Sequence, residues 1–142
     1  MSTRAIIQFK GIGVGDDGDV TVYVHGDGYP KWLGVDLANA LEQIELVNGI
    51  PMGAEYGECA NTSGDLFLQV IDIIKQNKVG YVYLTNRDIT DKESIWDIDY
   101  TYFVKANSDN GEKLIKCVNV TGSEFVTPSE FISMVKDQKE VN

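Results

Sequence analysis

Arg4, the neighbouring pair His25 and Asp27, and the acid pair Asp97 and Asp99 are the side chains best suited by type and position to bind or react with a ligand. His25 is the only histidine, and it sits in His25-Gly26-Asp27-Gly28-Tyr29-Pro30, a turn that ends a strand and opens a helix. Histidine changes charge near neutral pH, so beside a carboxylate it suits general acid–base work. Arginine presents a planar fork of donors matched to phosphate or carboxylate. Together, Arg4, His25, Asp27, Asp97 and Asp99, with Tyr29 and Trp32 beside them, would contact a small anionic ligand. A local role competes: Arg4 could pair with Asp27 and tie the hairpin end to the helix start. His25 and Asp27 have no third ligand at a recognisable spacing, so neither a metal nor a cofactor is expected.

Periodicity indicates which strands and helices carry these groups. Residues 4–10 alternate, with Ala5, Ile7 and Phe9 on one face and Arg4, Gln8 and Lys10 on the other. Residues 20–25 alternate likewise, with Val20, Val22 and Val24 inward and Thr21, Tyr23 and His25 outward. Asp16-Asp17-Gly18 has turn chemistry between them, so the two strands should form a hairpin with Arg4 and His25 at the same end. A helix is expected over residues 31–46, its core face made of Leu33, Leu37, Ala40, Leu41 and Ile44. Residues 47–61 read as a long loop.

Ser63 is the expected N-cap of a second helix, with Leu66, Phe67, Val70, Ile71 and Ile74 as its buried stripe. Strands follow at residues 81–85, 96–105 and 114–120, the last two joined by a turn at Asn107-Ser108-Asp109-Asn110-Gly111. Thr127-Pro128-Ser129-Glu130 satisfies both halves of a capping box for a final helix carrying Phe131, Met134 and Val135. The order β-β-α-α-β-β-β-α implies one α+β domain over residues 1–142: a mainly antiparallel sheet of about five strands with three helices packed on one face.

Composition narrows the function. At 142 residues, with 12 basic and 22 acidic side chains, the net charge is −10. Such a chain repels phosphate backbones, so direct nucleic-acid binding is not expected, and the charge favours solubility. No apolar run is long enough to span a bilayer, and the first residues lack a signal-peptide core, so a cytoplasmic location is expected. Cys59 and Cys117 match no metal or redox spacing. Gly11-Ile12-Gly13-Val14-Gly15 is not a phosphate loop, because no Lys-Ser/Thr and helix follow it. Six tyrosines (Tyr23, Tyr29, Tyr81, Tyr83, Tyr100, Tyr102), with Trp32 and Trp96, supply either ordinary strand residues or a recognition surface.

The opening Ser2-Thr3-Arg4-Ala5, the His25-x-Asp27-Gly28-Tyr29-Pro30 turn, Gly34 and the later Asp97-Ile98-Asp99-Tyr100-Thr101-Tyr102 resemble a family of small uncharacterised phage and bacterial proteins. That family starts S-T-R-x and ends a strand in H-x-D-G-Y-P; the departure here is Gly26, where the family more often carries a bulky aromatic. The resemblance implies a phage-type accessory protein acting against host defence, located in the cytoplasm of an infected bacterium. The expected function is a non-enzymatic binder, inhibiting a host protein or sequestering a small anionic, nucleotide-like ligand. The alternatives are a small hydrolase or nuclease-like enzyme, with His25 as base, Asp27 beside it and Arg4 as anion clamp, and a structural or interaction subunit. Homodimerisation through an exposed strand edge stays open.

Overall fold

The computed structural model describes residues 2–13 and 18–138. Strands β1 (Ala5–Ile12) and β2 (Val20–Val24) form the expected antiparallel hairpin, with Ala5 opposite Val24 and Phe9 opposite Val20. Asp16 and Asp17 of the expected turn lie outside the described residues. A π-type turn (Pro30–Gly34) leads into α1 (Val35–Gln43), followed by β3 (Glu45–Val47), β4 (Cys59–Asn61) and α2 (Thr62–Lys75). Then come β5 (Val82–Leu84), β6 (Tyr100–Asn107), β7 (Glu112–Cys117), the short α3 (Val118–Thr121) and α4 (Pro128–Asp137).

The main sheet runs β5-β2-β1-β6-β7, and the small β3-β4 pair stands apart from it. Three of its strand pairs are antiparallel, but the central pair, β1 with β6, is parallel. The sheet is therefore mixed. Parallel neighbours need a crossover, and here the chain between β2 and β6 supplies it, carrying α1, α2 and edge strand β5.

Alternation decides which face is covered. Ala5, Ile7, Phe9, Val22, Val24, Tyr102, Val104, Ala106, Ile115 and Cys117 are buried on one face, against Leu37 and Leu41 of α1, Leu66, Phe67 and Val70 of α2, and Phe131 of α4. The Phe9 and Phe67 rings lie 5.1 Å apart, and burying each side chain contributes about 2–3 kcal/mol. The same burial pushes the Cys117 thiol pKa up to about 11, so it packs as an apolar residue. On the other face Ile6 is also fully buried, in register between Tyr23 and Thr101.

Several boundaries differ from the sequence reading. The first helix ends at Gln43, because Ile44 turns extended and feeds β3, which pairs in parallel with β4 across the expected loop. Lys113 reaches under it and donates from Nζ to the Leu41 and Ile44 carbonyls, two acceptors a helix end leaves without intrahelical partners. Ser63 is not the N-cap of α2. Asn61 holds that position, its backbone N–H donates to the Asp65 carboxylate, and Ser63 is buried with its N–H on the Ser108 hydroxyl. Residues 96–99 form turns rather than strand, so β6 starts at Tyr100, and residues 118–120 are helical.

The capping box of α4 forms with both of its bonds. Gly111, at φ 76°, closes the β6–β7 hairpin by donating to the Asn107 carbonyl. Among the described residues no helix is long and apolar enough to cross a membrane.

Candidate functional site

The β1–β2 register carries one step beyond Ala5–Val24 and sets Arg4 across from His25 on the face that the helices leave open. That face continues through Tyr23 and, in the register of β2 with β5, through Tyr83. Arg4, Tyr23, His25, Tyr83, Thr85, Arg87 and Asp97 line one open groove of about 390 Å³ at this end of the sheet. The segment that leaves β5 places Arg87 with its guanidinium carbon 5.1 Å from the centre of the Tyr23 ring, a cation–π contact.

Asp97 organises the charges. Arg4 Nη1 donates to its Oδ2 at 3.2 Å, and Arg87 Nη1 donates to its Oδ1 at 2.7 Å. The carboxylate side chain is only 12% exposed, whereas the two arginines are about a third exposed, at 38% and 32%. Desolvation pushes the Asp97 carboxyl pKa up. The hydrogen bond from Arg87 and the charges of Arg87 and Arg4 outweigh that and hold it below the ordinary carboxylate range. One anion between two cations leaves the cluster with one net positive charge. Each guanidinium has five N–H donors, so both keep donors that can turn to the groove. Along the wall, Tyr23 Oη and His25 Nδ1 lie 2.8 Å apart, and the Tyr23 and Tyr83 ring centres are 5.9 Å apart.

The groove unites only part of the expected cluster. Arg4, His25 and Asp97 come together; Asp27, Tyr29, Trp32 and Asp99 are not among the groove-lining residues. Asp27 takes a left-handed backbone, φ 55°, and its charge acts on Tyr81, whose hydroxyl pKa is raised first by burial and then by Asp27 and Asp36. Arg4 therefore pairs with Asp97 rather than Asp27, and His25 meets Tyr23. The Asp99 carboxylate accepts the Arg4 backbone N–H at 2.9 Å, and the Asp99 N–H donates to the Arg4 carbonyl, which fixes the start of β1 beside β6. Tyr29 meets Trp32 edge-on and Tyr100 at a tilt, with ring centres 5.9 Å apart in each pair, in a separate aromatic cluster.

Tyr23, Tyr83, Thr85 and Arg87 complete the groove and were absent from the expected site. The sequence did carry a signal for the last three: alternation through residues 81–87 puts Tyr83, Thr85 and Arg87 on a common side if the extended chain continues past β5. Ending the expected strand at residue 85 left Arg87 outside that count.

The glycines of the motif have structural reasons. A Cβ on Gly28 would come within 2.9 Å of the Ala5 Cβ and of the Thr3 carbonyl oxygen, because the turn lies directly on the start of β1. Gly28 N–H donates to that same carbonyl, and its own carbonyl accepts the buried Tyr102 hydroxyl at 2.6 Å. A Cβ on Gly34 would lie 2.9 Å from the Phe131 ring. Gly26, by contrast, faces open space. Comparison with family models, with curated proteins and with solved structures finds no match for this chain.

Proposed function

We propose that the chain is a non-enzymatic binder of a small anionic, nucleotide-like ligand, held in the Arg4–Arg87 groove. The observation that carries this reading is Asp97 holding two guanidinium groups at the mouth of a groove walled by Tyr23, Tyr83 and His25. Fixed arginine forks suit a phosphate. Tyrosine rings offer a stacking surface for a base, and Tyr83 is 48% exposed. The carboxylate keeps the cations preorganised, so the ligand does not have to order them on binding. In the phage-type accessory role that the resemblance implies, sequestering such a ligand would disarm a host defence that signals with it.

The test is calorimetric titration with a panel of nucleotides, with inorganic phosphate as control. Saturable heat with a nucleotide, lost in Arg87→Ala and in Arg4→Ala while both variants still fold, is the expected result. No heat with any of the panel would end the proposal. Turnover of a bound nucleotide that His25→Ala abolishes would replace it with the hydrolase reading.

A further inference from the structure

On the helical side, away from the groove, the chain has a different character. Between Trp32 and Ile74 it carries seven carboxylates and no Lys, Arg or His. Within this stretch the connection from β3 to β4 exposes large apolar side chains: Met52 at 103%, Ile50 at 78% and Tyr56 at 66%. Leu68 on α2 is 70% exposed. Helical spacing sets Leu68 between Asp65 and Asp72, and Asp72 Oδ2 accepts the Tyr56 hydroxyl at 2.7 Å. Ile50, Tyr56 and Asp65 also share one shallow cleft of about 200 Å³. Isolated exposed apolar residues are ordinary, but a group of them rimmed by one sign of charge marks an interaction surface.

The connection is also built to hold its shape. Gln69, only 2% exposed, donates to the Cys59 carbonyl and accepts the Gly57 N–H at 2.7 Å. Gly49 N–H donates to Asn61 Oδ1 at 2.7 Å, and Ala54 N–H turns back to the Pro51 carbonyl. Pinned at one end by the buried Gln69 amide and at the other by Asn61, the loop presents Ile50 and Met52 at a reduced ordering cost on binding.

From the fixed apolar tip and its carboxylate rim we infer that the β3–β4 connection and the outer face of α2 form a docking surface for a protein segment bearing apolar side chains flanked by Lys or Arg. Charge complementarity selects that partner: the rim attracts cations and repels acidic surfaces, including a second copy of this chain, while Met52, Ile50 and Leu68 demand apolar contact. The surface is independent of the arginine groove.

Fluorescence anisotropy with labelled synthetic amphipathic helices tests it. A Leu/Lys helix should bind saturably; a Leu/Glu helix and a Ser/Lys helix should not. Met52→Ser and Leu68→Ser, which leave every charge in place, should each weaken the Leu/Lys helix by about tenfold with an unchanged melting temperature. Equal binding of the Ser/Lys helix, or undiminished binding in both variants, would overturn the docking surface. So would a dimer by light scattering that Leu68→Ser dissolves, since the occupant would then be another copy.

Discussion

The turn from His25 to Pro30 joins two environments that differ in almost every physical respect. Its upstream side, with Tyr23 and His25, looks into an open groove where two arginines donate hydrogen bonds to one carboxylate. Its downstream side is packed shut: Gly28 lies on Ala5 and Thr3, its carbonyl is capped by buried Tyr102, and Gly34 lies under Phe131. A run of residues that reads as one functional motif is a recognition wall joined to a structural clasp. Different bonds hold the two halves: the β1–β2 register and the His25 N–H on the Tyr81 carbonyl set His25 opposite Arg4, while the Gly28 N–H on the Thr3 carbonyl closes the turn.

Substitutions should separate the two halves sharply. Gly28→Ala forces a methyl group into backbone and should cost about 3 kcal/mol by urea denaturation, the largest effect expected. A neutral Gly28→Ala would break the contrast at once. Tyr102→Phe leaves the Gly28 carbonyl buried without its donor and should cost about 2 kcal/mol on the same measurement. It should lower nucleotide affinity only to the extent that it loosens the turn.

Asp97→Asn acts on the open side and should cost no more than about 1 kcal/mol at neutral pH, since its arginine partners are partly solvated. Its pH dependence sharpens the case. The folded-state carboxyl is held below its ordinary value of 3.8, so its contribution is fully present above that value and is lost as pH falls through the lower folded value. The stability gap between wild type and Asp97→Asn should therefore be flat from neutral pH down to about pH 5 and close below about pH 4. A gap that stayed constant into strong acid would mean that Asp97 contributes nothing through its charge. The smallest effect is expected for His25→Ala, within about 0.5 kcal/mol of wild type, because the ring is exposed. A large loss there would make the upstream side structural as well.

What could be read without coordinates follows from how far each interaction reaches along the chain. Alternation in residues 4–10 and 20–25 is local, and it set the β1–β2 hairpin and the common end of Arg4 and His25. The capping box at Thr127 is equally local and appears as read, as does the stripe of α2 apart from Ile71, which is only partly buried. The α+β class and the five-strand sheet followed from counting such elements.

Which distant groups meet is set by the fold. Nothing near Arg4 in sequence indicates that Asp97 would hold it, or that Arg87 would take the carboxylate's other oxygen. Those contacts span 93 and 10 residues and depend on β6 entering beside β1 in parallel. The same placement divided Asp97 from Asp99, sending one carboxylate to the groove and the other to the β1 backbone. Short-range backbone preference is written residue by residue, so the main strands, the longer helices and their apolar faces are legible in the chain, whereas β3 and β4, which exist by pairing with each other, are not. Pairing across the sheet depends on how the whole chain packs, and only the folded molecule could say which charges share the groove.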